Sequence, residues 1–239
     1  AGFVIYAWRQ VPVNISQIGE KANATRPEIE QVLFYDPRAR DNETVDRDLF
    51  VCRRRSEKRA RSAKSVELYV CSFWAQRRVY EGMFLAQHID AFYPYLTDPR
   101  FTAAVAVFHQ RYSTNTFPEW RLAQPFRMLA HNGEINTIKG NINWMKSHEI
   151  RMAGSAFGDL GDDIKPVIQP GGSDSAALDN TFEVLVRAGR DAPMAKALLI
   201  PEAWNARTSE QIKPAHRALY SYCNAVMEPW DGPAAVCAT

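Results

Sequence analysis

Asn132 and Gly133 stand together in Ala130-His131-Asn132-Gly133-Glu134. A side-chain amide beside an unencumbered backbone N–H supplies two donors at one place, as an anionic tetrahedral intermediate requires. The chemistry that suits them is acyl transfer from an amide. Arg111, within His109-Gln110-Arg111-Tyr112-Ser113-Thr114-Asn115, offers a planar fork for a carboxylate, and Thr114 and Asn115 can add neutral hydrogen bonds. Asp174, in Gly171-Gly172-Ser173-Asp174-Ser175, can meet an ammonium group as an exposed carboxylate, although a helix cap alone would account for it equally well. Arg111 for a carboxylate and Asp174 for an amine together describe an α-amino acid. No nucleophile stands among these residues.

The elements that must hold these groups are legible around them. Val105-Ala106-Val107-Phe108 has the length and β-branched content of a buried strand, which would place Arg111 at a strand end. A second apolar run over residues 126–130 leads to Asn132-Gly133, a turn signal because both residues tolerate positive φ, and a helix is predicted from about residue 136 to 152. Residues 153–170 are rich in Gly, Asp and Pro and predict a loop. It delivers Gly171-Gly172-Ser173-Asp174-Ser175, with Ser175 or Asp174 as N-cap of a helix over residues 176–188. His109 and His131 flank the candidate site, but no metal-ligand spacing links them, and each is expected to be a hydrogen-bonding or core histidine rather than a base.

The bulk numbers set the frame. With 239 residues, 46% hydrophobic and 23% charged, the chain is long enough for one large domain or two small ones. Neither a run of about 20 apolar residues nor a secretory leader is present, so a cytoplasmic protein without membrane contact is expected. Cys52, Cys71, Cys223 and Cys237 are scattered without a CxxC pair, which argues against a zinc site and a disulfide framework. All four are expected in the core, Cys52 and Cys71 on strands. The net charge of +2 does not point to a partner. The chain opens on an alternating strand pattern without Met and stops inside an apolar run, so a fragment truncated at both ends is expected.

Elsewhere, the first strand should end at Val11-Pro12, because proline cannot donate to a central ladder. Arg9 at its end has two readings, a structural partner or an anion contact. Residues 14–31 predict a loop and residues 36–48 a surface connection. Leu49-Phe50-Val51-Cys52 predicts a strand, and Glu67-Leu68-Tyr69-Val70-Cys71-Ser72-Phe73-Trp74 another. The basic run between them, from Arg53 to Lys64, has no interleaved aromatics and predicts a solvated helix or loop face rather than a nucleic-acid footprint. A short helix is predicted to end near Phe92, an apolar element over residues 194–200, a packed helix from Pro214 to about Met227, and a final strand after Gly232-Pro233.

At its longest motifs the chain resembles a known family. His109-Gln110-Arg111-Tyr112-Ser113-Thr114-Asn115-Thr116-Phe117-Pro118, Ala130-His131-Asn132-Gly133-Glu134-Ile135-Asn136, Gly171-Gly172-Ser173-Asp174-Ser175 and Glu228-Pro229-Trp230-Asp231-Gly232-Pro233-Ala234 closely resemble the class II glutamine amidotransferase domain of glutamate synthase large subunits. Gly19-Glu20-Lys21-Ala22 and Pro201-Glu202-Ala203-Trp204 extend the resemblance through nearly the whole chain.

The resemblance implies an α+β fold of the N-terminal-nucleophile hydrolase type, a four-layer αββα sandwich of antiparallel sheets, here incomplete at both ends. Residues 1–239 would be part of such a domain, without the nucleophile segment and the downstream synthase domains. It further implies a processed N-terminal cysteine, activated by its own α-amino group, that attacks the side-chain amide of L-glutamine, forms a γ-glutamyl thioester and releases ammonia. By the same resemblance Asn132 and Gly133 form the oxyanion hole, Arg111 and Thr114 bind the α-carboxylate, Asp174 binds the α-amino group, and Tyr112 lies beside the thioester. Ala1 stands where that cysteine would be needed, so the piece alone is expected to be inactive. For the parent protein the resemblance implies FMN and an iron-sulfur cluster, use of the ammonia with 2-oxoglutarate to make glutamate, and electrons from a nicotinamide cofactor through a small electron-transfer subunit or from ferredoxin. The alternatives are the glutaminase domain of another class II amidotransferase and a non-catalytic amino-acid-binding module.

Overall fold

The computed structural model describes residues 2–63, 67–152, 156–203 and 209–239. Ala1, Lys64 at the end of the basic run, residues 153–155 of the predicted loop and Trp204 lie outside the described residues. The chain divides into two compact units, Ala1–Phe126 and Arg127–Thr239. Both mix helix with antiparallel strand, the α+β class expected from the sequence.

The first unit runs β1 (Val4–Gln10), α1 (Glu20–Ala24), β2 (Glu30–Tyr35), α2 (Asn42–Ala63) and α3 (Ile89–Phe92), joined by short 3-10 turns. The chain leaves β1 just before Pro12, as expected, and α1 interrupts the predicted loop. β1 and β2 pair antiparallel, with Val4 opposite Tyr35 and Gln10 opposite Glu30. Arg9 donates to the Gln31 side chain at 2.6 and 2.9 Å and lies over the Tyr95 ring, contacts that fit the structural reading. The core gathers Val11, Ala22, Phe92, Tyr93 and Trp120, and the Trp120 indole N–H donates to the Ala22 carbonyl at 3.1 Å.

Three strand predictions in this unit fail. Leu49-Phe50-Val51-Cys52 lies inside α2, which starts within the predicted connection. Four apolar residues fit one helical turn as well as a strand. Here Asp41 decides, because its Oδ1 accepts from the Thr44 N–H at 2.9 Å and starts a helix that buries Val45 and Leu49 one turn apart. The basic run continues α2, yet it is not simply a solvated face. Arg53, Arg54 and Glu57 are buried, with Arg53 Nη1 3.2 Å from Glu57 Oε2. Residues 67–74 and 105–108 are irregular, and Val105 and Phe108 are 72% and 86% exposed. No strand pairs with either run among the described residues, and an extended run needs a neighbouring strand to be stable as one. Arg111 therefore belongs to an irregular segment, not to a strand end.

The second unit runs β3 (Leu129–Gly133), α4 (Ile138–Ile150), α5 (Asp174–Arg187), α6 (Ala192–Leu199), α7 (Pro214–Val226) and β4 (Ala234–Ala238). β3 and β4 pair antiparallel, Leu129 opposite Ala238 and Gly133 opposite Ala234. α5 packs against β3, α4 and α6, and α6 packs against α7. Asn132-Gly133 continues β3 to its end and does not turn the chain, because β4 supplies a partner for it. The cap of α5 is Ser173, whose Oγ accepts from the Ala176 N–H at 3.1 Å, in place of the predicted Asp174 or Ser175. Of the cysteines, Cys223 is buried as expected, Cys237 is exposed on β4, and Cys52 and Cys71 are half-buried with neither on a strand. α7 forms where Pro214 predicts it, although Leu219 and Tyr222 on it are exposed.

Candidate active site

The predicted site residues divide between the units: Arg111, Tyr112 and Thr114 in the first, Asn132, Gly133 and Asp174 in the second. In the first unit Arg111 and Thr114 are exposed. The Arg111 N–H donates to His109 Nδ1 at 3.1 Å, so His109 shapes the local backbone. Tyr112 is half-buried, and its hydroxyl donates to the Gly82 carbonyl at 3.2 Å. Burial, with Glu81 nearby, raises its phenol above the usual range.

In the second unit the ladder fixes where the donors point. The Thr239 N–H donates to the Met128 carbonyl at 3.1 Å and the Glu134 N–H to the Pro233 carbonyl at 3.0 Å. Bonded and non-bonded pairs alternate in an antiparallel ladder. Asn132 with Ala235 is therefore a bonded pair, whereas Gly133 opposite Ala234 is not. The Gly133 N–H points to the edge of β3 away from β4. The same alternation sends the Leu129 N–H to that edge, where it meets Asp179 Oδ1 at 3.1 Å. Asn132 is exposed at the strand end, with its amide in no protein hydrogen bond among the described residues.

Glycine is needed at Gly133 because the crossing is close. A Cβ there would run into the Pro233 carbonyl and come within 2.8 Å of His131 Nε2. The segment after it is clamped from the far end of the chain. The Asn136 N–H donates to the Asp231 carbonyl at 2.8 Å, the Asn141 amide to the Pro229 carbonyl at 2.9 Å, and the Asp231 N–H to Thr137 Oγ1 at 3.0 Å.

Asp174 is 4% exposed, against the exposed carboxylate expected. Its Oδ1 accepts from the Ser175 N–H at 2.7 Å and its Oδ2 from the Ile135 N–H at 3.2 Å. The loop before it is held by Glu149, which accepts from the Val167 N–H at 2.6 Å, and by Asn180, which accepts from the Gln169 N–H at 2.9 Å. His131 is buried and hydrogen-bonded, as expected, with Nδ1 2.7 Å from Ser175 Oγ. Its partner Ser175 and the support from Asp179 were not legible in the sequence.

Asp179 is fully buried, with Oδ1 accepting from the Met128 N–H at 2.8 Å as well as from Leu129. Burial, with Glu183 beside it, pushes its carboxyl from 3.8 up to about 7, against the opposing pull of Arg127 and the two N–H groups. A folded-state value above the unfolded one means that this group favours the fold below about pH 4 and loses that contribution as pH rises toward 7. Asp179→Asn keeps the acceptor and removes the titration. Urea midpoints at pH 5 and pH 8 should therefore differ between wild type and variant, the wild type losing more on the alkaline side. The excess should be of the order of a few kcal/mol at about 1.4 kcal/mol per pKa unit.

A cavity of about 670 Å³ beside β4 and α6, lined among others by Phe182, Lys196, Trp230 and Val236, contains none of the predicted site residues. Among the described residues no group of three His, Cys, Asp or Glu is placed to hold a metal ion, and no helix is long and apolar enough to cross a membrane.

The strand end with its two donors and the carboxylate at the first residue of α5 belong to a sequence matched over residues 1–239 by the family described as Glutamine amidotransferases class-II. The chain belongs to that family. It is 57% identical over its whole length to the glutamate synthase [NADPH] large chain of Azospirillum brasilense and 42% identical over 236 residues to that of Bacillus subtilis (strain 168). It is 41% identical over 235 residues to the chloroplastic ferredoxin-dependent glutamate synthase of Spinacia oleracea. These matches take in 98–100% of the chain but only 16%, 15% and 14% of the respective relatives, so it spans about one-sixth of their length.

Proposed function

We propose that this chain is the substrate-binding part of the glutaminase of a glutamate synthase large subunit, a partial type 2 amidotransferase domain over residues 1–239. The observation that carries the proposal is the end of β3, where the exposed Asn132 amide and the outward Gly133 N–H stand one element away from the buried Asp174 carboxylate. In the proposed mechanism the thiolate of an N-terminal cysteine outside these residues attacks the glutamine side-chain carbonyl. Negative charge develops on the carbonyl oxygen, where Asn132 and Gly133 donate to it. Ammonia leaves, and water hydrolyses the thioester to glutamate. Arg111 and Thr114 hold the α-carboxylate, Asp174 holds the α-ammonium, and Tyr112 lines the acyl position. The antiparallel pairs β1–β2 and β3–β4 with their helices are compatible with an αββα sandwich completed by further strands.

In the full-length protein the ammonia would be consumed with 2-oxoglutarate to make glutamate. Flavin and iron-sulfur chemistry, and a small electron-transfer subunit or ferredoxin as electron source, belong in the proposal to other parts of that assembly, in the cytoplasm. The test treats the full-length protein with a glutamine-like electrophile and locates the label by peptide mass spectrometry. The expected label sits on an N-terminal cysteine, is competed by glutamine, and is lost in Arg111→Ala, where the exposed side chain can go without harm to the fold. A folded full-length protein that takes no label would replace the hydrolase with an amino-acid-binding module.

A further inference from the structure

The peptide that carries the proposed oxyanion donors is tied at both ends to two consecutive residues of α5. At its start, His131 Nδ1 lies 2.7 Å from Ser175 Oγ, and at its end the Ile135 N–H donates to Asp174 Oδ2 at 3.2 Å. Ser175 Oγ is also 3.4 Å from Asp174 Oδ1, whose closer donor is the Ser175 N–H at 2.7 Å. His131, Ser175 and Asp174 are 2%, 1% and 4% exposed.

The serine hydroxyl has one hydrogen, and both His131 Nδ1 and Asp174 Oδ1 lie within its reach. Given to His131, it leaves the Asp174 carboxylate with its N–H donors only. Given to Asp174, it requires Nδ1 of His131 to carry a proton and donate back to the serine oxygen. The charge state around Asp174 thus selects the direction of the Ser175–His131 bond. His131 immediately precedes Asn132, and its Nε2 lies 2.8 Å from where a Cβ on Gly133 would sit. A change in its hydrogen-bonding pattern therefore reaches the two donors through the adjoining backbone of β3.

We infer that His131 and Ser175 are positioning residues that couple occupation of the Asp174 carboxylate by the substrate α-ammonium group to the placement of the Asn132 and Gly133 donors. The coupling rests on the glutaminase function proposed above and adds to it a means of discrimination. With an amide that brings no ammonium group the serine hydroxyl turns toward Asp174, and the strand end is then held differently. Selectivity for an α-amino acid is expressed in the chemical step as well as in binding.

The experiment compares, in the full-length protein, kcat and KM for glutamine and for the same amide lacking the α-amino group. Wild type should discriminate in kcat as well as KM. Ser175→Ala should lower kcat for glutamine by about tenfold, within the range of coupled hydrogen-bond networks, and leave the desamino amide nearly unchanged. His131→Asn, which removes the imidazole and keeps a polar side chain, should give the same selective loss, and the double variant should be no worse than the poorer single one. A purely structural role would slow both substrates equally, and that result overturns the coupling while the glutaminase stands. Failure of wild type to hydrolyse glutamine at all removes the glutaminase function itself. If Ser175→Ala does not fold, the kcat ratio in His131→Asn decides the matter.

Discussion

Asn132→Ala is expected to lower kcat for glutamine hydrolysis by the full-length protein by about 100- to 1,000-fold, the usual loss for one oxyanion donor. Thermal unfolding should barely change. Two features separate the effects. The Asn132 side chain is exposed and holds no protein hydrogen bond among the described residues, so its removal strands no buried partner. Its backbone is a bonded ladder pair with Ala235, and alanine keeps that pair. KM should move far less than kcat, because the developing charge on the carbonyl oxygen exists only in the transition state. A variant that lost KM and thermal stability while keeping kcat would show that the amide holds the fold and not the oxyanion. Asn132→Asp should be worse still, since it places a negative charge where one is forming.

Gly232→Ala is expected to act in the opposite sense, on the fold first and on catalysis only through it. Gly232 has φ +148°, a conformation that residues with a side chain rarely adopt, and a Cβ there would run into the Glu134 carbonyl. The collision is with backbone, so no rotamer relieves it. On either side the Glu134 N–H to Pro233 and Asn136 N–H to Asp231 bonds hold the crossing together, and displacement of the 228–233 segment breaks both. Strain and overpacking together put the loss at about 3 kcal/mol or more. Equilibrium urea unfolding of the second unit checks it. A shift below about 1 kcal/mol, a range usual for tolerated substitutions, would mean that the crossing is looser than its geometry indicates. Gly133→Ala should combine both behaviours, because its Cβ meets the Pro233 carbonyl and disturbs a proposed oxyanion donor at once.

The helices of the second unit were the elements most legible in the sequence. α4 and α7 show apolar spacing over several turns, and α5 is announced by the small and polar residues before it. β4 follows a Gly-Pro turn. The failures share a cause. Residues 49–52, 67–74 and 105–108 are short apolar or alternating runs, and such a run is a strand only when another strand lies beside it, a fact set by distant residues. At the site, residue type pointed to Asn132, Gly133 and Asp174, whereas the burial of Asp174, the cap at Ser173 and the Ser175 contact of His131 depend on how α5 meets β3. No local pattern carries that packing. Asp179 carried no local signal, because α5 has several other polar and charged residues and the two backbone N–H groups that Asp179 receives come from residues some fifty positions earlier.

The clamp between the 133–137 and 229–234 segments also has a temporal side. Thr137 and Asp231, joined by a hydrogen bond, are 94 positions apart in the chain. At synthesis rates of about 5–20 residues per second, the peptide bearing Asn132 leaves the ribosome roughly 5–20 s before the segment that fixes it. During that interval α4 and α5 can form from local contacts, while the donors have no β4 to orient them. Under the proposed function the Asn132 and Gly133 donors are thus set in place only once β4 has docked, and a chain stopped ahead of residue 234 would lack the partner strand that orients them.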